Sequence, residues 1–216
     1  MQKLNQQPDI CPYFSPEFKV IPQYIIMKEG ECMELNNRTT SFFIFILSGE
    51  ITISFEQYTN RSVLENEMFF LPKNNCFKWK AVTQTVLILT GYNATIFPCT
   101  SVRARILYKI KAGVKFDCRG VVMKDEVKVV VNQMKHYLES GINCHHMYIL
   151  KHKELYLMFK HFYTYEEIIQ IFYLILGSNP LFNERVLDNY LKVKTVKELA
   201  GLLGYGIKTF EKLFRE

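Results

Sequence analysis

The spacing of the hydrophobic residues changes near residue 120, and this change limits the chain to a small set of folds. Before that point, apolar residues come in short runs separated by turn residues. From Asp125 onward they recur every three to four residues. The first pattern is typical of β-strands and the second of amphipathic helices. Strands followed by helices predict an α+β fold in which the two kinds of element are segregated.

Six hydrophobic runs in the first half are predicted to be strands. In one of them Ile51, Ile53 and Phe55 alternate with Thr52 and Ser54, as expected for a strand with one buried face. The other predicted strands are Phe18–Met27, Ser41–Leu47, Met68–Leu71, Phe77–Ala81 and Thr85–Thr90. Turn residues separate them at Gly30, Asn36-Asn37, Ser48-Gly49-Glu50 and Asn74-Asn75. Many short strands at close intervals predict a β-sandwich or barrel.

Four helices are predicted after this β-region. Glycines end the first and third of them, and a Thr164–Glu167 capping box opens the third. The predicted bounds are Asp125–Glu139, about Cys144–His161, Thr164 to Gly177, and about Asn183–Leu191.

The last stretch, Thr195 to Glu216, has the layout of two short helices joined by a tight turn. Thr195 and Glu198 form a T-x-x-E capping box, and Gly204 supplies the left-handed residue that a sharp turn needs. The residues predicted to face inward are Val196, Leu199, Ala200, Phe210, Leu213 and Phe214. Such a layout fits a helix-turn-helix, whose second helix lies in the major groove of DNA. The alternative is an ordinary helical hairpin with a solvated basic face.

The residue identities in this stretch resemble the first helix-turn-helix of AraC-family transcription regulators. The shared pattern is V-x-x-L-A-x-x-x-G-Y-x-x-x-x-F-x-x-x-F, formed by Val196, Leu199, Ala200, Gly204, Tyr205, Phe210 and Phe214. The chain departs from the family at Gly206, where a helix-capping Ser is usual, and at Lys212, where Arg is usual. Gly is a tolerable cap, and Lys keeps the charge but loses the bidentate geometry of Arg.

The resemblance implies a sequence-specific DNA-binding regulator. Lys208, Thr209 and Lys212 would face the groove, and Lys197 and Arg215 would contact phosphates. The family's DNA-binding domain has two such units joined by a long helix, whereas this sequence stops after the first recognition helix. We therefore expect a truncated chain or a naturally short protein, and negligible specific DNA binding by the chain alone.

The β-region resembles the cupin-like jelly roll that precedes the DNA-binding part of many AraC-type regulators. The similar segments are Phe45–Phe55 (FILSGEITISF) and Met68–Pro72 (MFFLP). Enzymatic cupins hold a metal through an H-x-H pair, a Glu and a later His. The β-region contains no histidine, so we expect no metal, no cofactor and no catalysis. The five histidines, His136, His145, His146, His152 and His161, are interpreted as surface or hydrogen-bonded residues of the helices.

A jelly roll can also enclose a small-molecule effector. Its lining would come from aromatic side chains of the strands, and the alternative is that these side chains simply fill the core. The leading candidates are Phe43, Phe45, Phe55, Phe70 and Trp79, with Phe42, Phe69 and Phe77 as further ones.

The resemblance also implies the domain order. It places a cupin-like domain at 1–120, a helical linker or dimerisation region at 121–180, and a partial AraC-type DNA-binding domain at 181–216. AraC-type regulators commonly pair through helices that follow the jelly roll, so we expect a homodimer, with Asp125–Glu139 as the leading interface.

Composition sets limits on location and partners. The net charge of +6 permits an anionic partner, but 183–216 carries seven basic against five acidic residues, a weak excess for a DNA-binding surface. Six scattered cysteines without C-x-x-C spacing predict free, mostly buried thiols in a reducing compartment. Neither a signal peptide nor an apolar run long enough for a membrane span is present. We expect a soluble cytoplasmic protein that does not bind membranes.

Other functions remain open. A metal-free cupin-like module that binds a small molecule would explain the β-region alone. An interaction protein that pairs with a full-length regulator and blocks it would explain the chain without DNA binding of its own. A cyclic-nucleotide-sensing regulator fits poorly, because no Gly-rich segment with an Arg and a Ser or Thr follows the strands.

Overall fold

The computed structural model describes residues 21–37, 40–73, 75–92, 108, 110, 113, 116–142, 144–176 and 180–215. The predicted start of the first strand at Phe18 lies outside these residues. The strands in the described part are β1 Gln23–Met27, β2 Cys32–Asn37, β3 Ser41–Ser48, β4 Glu50–Phe55, β5 Tyr58–Leu64, β6 Glu67–Leu71, β7 Asn75–Ala81, β8 Thr85–Tyr92 and β9 Val121–Val122.

The strands form two antiparallel sheets whose order defines a jelly roll. Sheet A has the order β1-β8-β3-β6-β9, and sheet B has the order β2-β7-β4-β5. From β1 to β8, successive strands alternate between the sheets except for the paired β4 and β5, as in a double-sheet jelly roll. This topology confirms the predicted β-sandwich class. β9 adds to the edge of sheet A just past residue 120, and the domain boundaries stay a prediction.

Three strands, β2, β5 and the two-residue β9, were not expected from the sequence. β2 includes Asn36 and Asn37, so the turn predicted at this pair is wrong. β5 has the polar sequence YTNRSVL and buries only Val63 among its seven residues. β2 and β5 lie at edges of sheet B, where half of the backbone pairing and most of the side chains face solvent. β5 lacks the alternation that marks a half-buried strand, whereas β2 has it in a weak form, with Met33 and Leu35 packed against the core between the sheets.

Sheet A separates two hydrophobic cores because its strands are buried on both faces. On β3, Ile44 and Ile46 point into the core between the two sheets. Phe43 and Phe45 point to the opposite face and pack against helices. The continuous apolar run of β3 follows from this double burial. The architecture is thus three layers: sheet B, sheet A and a helical layer.

Helices form the third layer and then a separate C-terminal cluster. The α-helices are α1 Asp125–Glu139, α2 His145–Phe162, α3 Tyr165–Phe172, α4 Pro180–Asn189, α5 Val196–Leu202 and α6 Ile207–Arg215, with 3₁₀ turns at Tyr173–Leu176 and Tyr190–Lys192. The bounds of α1 match the prediction, and those of α2 and α4 differ by one to three residues. The predicted Thr164–Glu167 capping box is complete, with both reciprocal hydrogen bonds present at 2.8 and 3.2 Å.

Buried polar contacts fix the helical layer to sheet A. The Thr90 hydroxyl on β8 lies 2.9 Å from Nε2 of His152 on α2. The Tyr163 hydroxyl at the end of α2 accepts from the Lys124 amide at 2.8 Å and donates to the Val122 carbonyl at 3.1 Å. Directional bonds of this kind set the position of α2 on the sheet, which apolar packing alone does not.

Candidate nucleic-acid interface

The C-terminal helices α4, α5 and α6 have a small core of their own. Its buried members are Phe182, Val186, Leu199, Ala200, Leu203 and Phe210. Phe182 is the centre of an aromatic group, with ring centroids 5.2 Å from Phe210 and 5.5 Å from Tyr205. α4 thus supplies the support on which α5 and α6 pack. The predicted inward positions of Leu199, Ala200 and Phe210 are confirmed.

The turn between α5 and α6 closes as a Schellman motif. The Tyr205 amide donates to the Ala200 carbonyl at 2.9 Å, and the Gly204 amide donates to the Gly201 carbonyl at 3.0 Å. Gly204 has φ +79°, which a residue with a Cβ adopts only at a cost. Gly206 then accepts the first helical bond of α6, from the Phe210 amide at 2.9 Å. Each glycine in this turn has the role that the sequence assigned to it.

The N-terminus of α5 is capped differently from the prediction. Thr195 Oγ1 accepts from the Glu198 amide at 3.2 Å, as a capping residue should. The Glu198 carboxylate, however, accepts from the Lys194 amide at 2.9 Å rather than from that of Thr195. The reciprocal half of the predicted capping box is therefore displaced by one residue.

Arg185 on α4 stabilises the turn, a role that was not predicted from the sequence. Its Nη2 donates to the Leu203 carbonyl at 2.6 Å, which is one of the carbonyls left open at the end of α5. Its guanidinium also lies over the Tyr205 ring at 5.5 Å. One cation thus holds both ends of the turn from a neighbouring helix. The pairing joins residues about twenty positions apart, so no local pattern reveals it.

The outward face of α6 carries the predicted DNA contacts. Lys208, Thr209 and Lys212 are all exposed. Lys208 and Lys212 are four residues apart, so they lie on the same side of the helix. Lys197 is exposed on α5. The side chain of Arg215, the fifth predicted contact, lies outside the described part of the chain.

Two residues predicted to face inward are largely exposed. Val196 is 56% exposed and Phe214 is 64% exposed, although Phe214 still stacks on Phe210 with centroids 5.8 Å apart. The helices α5 and α6 are only seven and nine residues long, and three short helices cannot enclose every residue of a helical apolar stripe. The inward prediction for these two residues is wrong.

The five leading pocket residues of the β-region do not line one pocket. Phe43, Phe45 and Phe70 lie in the core between sheet A and the helices. Phe55 and Trp79 lie in the core between the two sheets. Sheet A separates the two groups, because neighbouring strand residues point to opposite faces. Hydrophobicity identified these side chains as buried, but not the side of the sheet on which each is buried.

Trp79 combines deep burial with an unused donor. It is 2% exposed, and its Nε1–H has no hydrogen-bond partner in the described structure. A buried unpaired donor costs about 1–3 kcal/mol. The pocket role of Trp79 stays a prediction.

The histidines of α2 divide into two kinds. His152 is buried and hydrogen-bonded, with Nδ1 2.6 Å from the Tyr148 carbonyl. Since a carbonyl only accepts, Nδ1 carries the proton and Nε2 accepts from Thr90. Burial lowers the pKa of His152 to about 4. His145 is buried as well, and burial lowers its pKa. The surface alternative is therefore wrong for both residues.

The described cysteines are free thiols with varied burial. Cys118 is buried and Cys144 is half-buried, whereas Cys32 and Cys76 are exposed on sheet B. The prediction of free thiols is confirmed for these four, and the prediction that they are mostly buried is wrong for two. Within the described residues, no group of three or more His, Cys, Asp or Glu side chains could hold a metal ion. No helix in the described ranges is long and apolar enough to cross a membrane.

Comparisons with known proteins find similar folds only. No protein-family model matches the chain, and no curated protein matches it. The cupin domain of Schizosaccharomyces pombe Cnp3 is 19% identical over 38% of this chain and 62% of that chain, with a TM-score of 0.34. The Drosophila melanogaster CENP-C cupin domain is 10% identical over 36% of this chain and 65% of that chain, with a TM-score of 0.32.

A conserved Streptococcus pyogenes protein of unknown function, SPY1581, is similar at the same level. It is 19% identical over 33% of this chain and 62% of that chain, with a TM-score of 0.31. This chain thus spans less than two thirds of the length of these solved chains. The assignment of the jelly roll rests on the strand order and not on these likenesses.

Proposed function

We propose that the chain is a DNA-binding transcription regulator of AraC type. In this proposal α6 reads DNA, the jelly roll senses an effector or supports the fold, and the helices pair two copies in the cytoplasm. The proposal is supported mainly by the structure of the α5–α6 unit. Its turn is closed by Gly204 and Arg185, and the outward side of its second helix presents Lys208, Thr209 and Lys212.

One side of α6 is available for DNA. Phe210 packs into the core, so the opposite side of α6 faces solvent at Lys208 and Lys212. A helix of nine residues is about 13 Å long, and a helix inserted into the major groove contacts bases over a length of this order. Lysine suits guanine O6 and N7, and the threonine methyl suits the thymine methyl. Lys197, which is exposed on the preceding helix, would contact a phosphate.

The proposal is tested by fluorescence anisotropy of the full chain with labelled duplex DNA. Lys208→Ala/Lys212→Ala should weaken binding about tenfold or more at low salt and reduce the slope of log K against log salt by roughly 2. The matched control is Lys153→Ala/Lys160→Ala, which removes the same charge from exposed positions on α2. If both double variants lose the same affinity, binding follows net charge and α6 is not the reading element.

The chain alone should bind with weak specificity. A single reading unit makes few base contacts, and each good bidentate contact contributes about 1–3 kcal/mol of discrimination. We expect similar affinities for duplexes of unrelated sequence and a steep loss of affinity as salt increases. Tight binding that resists salt would contradict this expectation.

The second candidate function is an interaction protein without DNA binding of its own. It is favoured by the apolar side chains that the C-terminal helices leave exposed, including Val196 and Phe214. The anisotropy experiment separates the two candidates, because an interaction protein would show no dependence on Lys208 and Lys212.

A further inference from the structure

The turn between α5 and α6 is loosely packed at its glycines. Gly204 and Gly206 lie on either side of Tyr205. A Cβ added to either glycine would meet no atom within 4 Å beyond the adjoining residues. Glycine also leaves the backbone its widest freedom. At the turn itself, steric packing therefore contributes little to the angle between α5 and α6.

Two side chains of α4 hold Tyr205 in the middle of this turn. Phe182 and Arg185 are three residues apart, so they lie on the same side of α4. The Phe182 ring lies 5.5 Å from the Tyr205 ring in an edge arrangement, and the Arg185 guanidinium lies 5.5 Å from its centroid. Contacts from one helix thus restrain the residue that joins the other two.

Arg185 restrains the end of α5 at the same time. Its Nη2 donates to the Leu203 carbonyl at 2.6 Å, while its Nη1 lies 3.5 Å from the Tyr205 hydroxyl. The donors of a guanidinium point in fixed directions within one plane. A single planar group that contacts both residues therefore restrains the orientation of α6 relative to α5.

We propose that Arg185 is a positioning residue for DNA binding. It holds α5 and α6 at the angle at which Lys197 on one helix and the Lys208 and Lys212 pair on the other contact the same duplex. This role rests on the proposed function, since it requires DNA contacts on both helices. Without Arg185 the turn must be ordered when DNA binds, and this ordering reduces the affinity.

A double-mutant cycle measured by fluorescence anisotropy of the full chain with labelled duplex DNA tests the role. Arg185→Met should weaken binding about fivefold or more. Lys197→Ala should weaken binding less in the Arg185→Met background than in the wild type, because α5 no longer brings Lys197 to its phosphate. Additive losses, which a missing charge or a general loss of stability would produce, overturn the proposal.

A rescue variant tests whether freedom of the turn causes the loss. Gly206 does not have a positive φ, and a Cβ there enters open space, so alanine is tolerated. Gly206→Ala should restore part of the affinity of Arg185→Met, because alanine narrows the freedom of the turn without adding a contact.

Gly201→Ala is the matched control for the rescue. It makes the same change in open space but within α5, before the turn. It should restore little of the affinity of Arg185→Met. Equal recovery with Gly201→Ala and Gly206→Ala would show that the loss came from helix stability, and would overturn the proposal.

Arg185→Lys separates positioning from a direct phosphate contact of the guanidinium. Lysine keeps the charge but lacks the planar fork, so this variant should bind as weakly as Arg185→Met. Arg119→Met, which removes an exposed arginine outside the C-terminal helices, should leave the affinity nearly unchanged. Wild-type affinity in Arg185→Lys overturns the proposal. Far-UV circular dichroism verifies that the helices persist, and Arg185→Lys is the deciding variant if Arg185→Met loses helical signal.

Failure of this role and failure of the proposed function give different results. If Lys208→Ala/Lys212→Ala leaves the affinity unchanged, the proposed function fails whatever the Arg185 variants do. If that double variant weakens binding while Arg185→Met binds like the wild type, only the positioning role fails.

Discussion

The jelly roll and the C-terminal helical unit differ in how completely they bury their apolar side chains. Among the described residues, the core between the sheets contains fifteen buried residues, contributed by seven strands and Cys118, whereas the C-terminal core contains six. In the jelly roll, strands far apart in sequence cover each other's apolar faces. In the C-terminal unit, three short helices cover only part of theirs, and seven large hydrophobic side chains of 180–215 remain exposed.

This difference indicates which interactions stabilise each region. In the jelly roll, burial of apolar surface, which contributes about 25 cal/mol per Å², is the main source of stability. The C-terminal unit depends more on directional contacts, namely the Thr195 cap, the Schellman turn at Gly204 and the Arg185 bonds. A unit held in this way has well-defined helices while its apolar surfaces stay available to partners.

The largest effects should come from core truncations, and they should differ between the regions. Phe77→Ala in the sheet core should cost about 3–5 kcal/mol of global unfolding free energy, because a large cavity remains between rigid sheets. Phe210→Ala should instead favour local unfolding of the C-terminal helices and leave the stability of the jelly roll unchanged. Urea unfolding monitored by circular dichroism measures the first effect. Hydrogen exchange measures the second, and faster exchange throughout the chain in Phe210→Ala would contradict separate cores.

His152 should give the jelly-roll body a dependence on pH. Burial lowers the pKa of His152 to about 4 in the folded state, whereas an unfolded His titrates near 6.5. Between these values the unfolded chain binds more protons, so stability is full above pH 6.5 and falls as the pH approaches 4. The unfolding free energy should fall by about 3 kcal/mol in total over this range.

The His152→Gln variant is the control for this effect. Its unfolding free energy should be lower at pH 7, because the contact with Thr90 is altered. It should fall less steeply between pH 6.5 and 4.5 than that of the wild type. Equal slopes for the two proteins would show that His152 is not the titrating group.

Loss of the Arg185 clamp should have an intermediate effect confined to the C-terminal unit. Arg185→Met keeps the aliphatic stem and removes the bond to the Leu203 carbonyl, which should cost about 1–3 kcal/mol. Exchange of the amides at 203–206 should become faster while that of sheet A stays unchanged. Arg185→Lys should rescue little, because Lys lacks the planar fork that reaches both Leu203 and Tyr205.

The smallest effects should come from the two helix caps. Thr195→Ala and Thr164→Ala should each cost about 1 kcal/mol. Thr164→Ala should cost the more of the two, since Thr164 belongs to a complete capping box whereas the partner bond of Thr195 is displaced to Lys194. Thermal unfolding measures the loss of stability in each variant, and hydrogen exchange at the start of each helix shows where the loss occurs. A larger loss of stability in Thr195→Ala than in Thr164→Ala would contradict this order and would indicate that the cap contributes more in the C-terminal unit.

Local patterns predicted the elements well where neighbours in sequence decide them. The alternation of Ile51, Ile53 and Phe55, the bounds of α1 and the left-handed Gly204 all follow from residues within one turn or one strand. What could not be predicted depends on distant residues. The face of sheet A on which Phe43 lies is set by helices about a hundred positions later, and Arg185 reaches a turn eighteen positions away.

The candidate site was predicted in part for the same reason. Exposure of Lys208, Thr209 and Lys212 follows from helical periodicity. Exposure of Val196 and Phe214 does not, because it depends on how much surface three short helices can cover.

Site-specific photo-crosslinking tests the central claim, that the outward face of α6 contacts DNA, most directly. A photoreactive phenylalanine is placed at Thr209 on α6 and, as the control, at Gln133, which is exposed on α1. On irradiation with a labelled duplex, we expect a crosslinked species from position 209 that disappears as salt increases, and none from position 133. Equal crosslinking from both positions, or crosslinking from position 133 alone, would contradict the account.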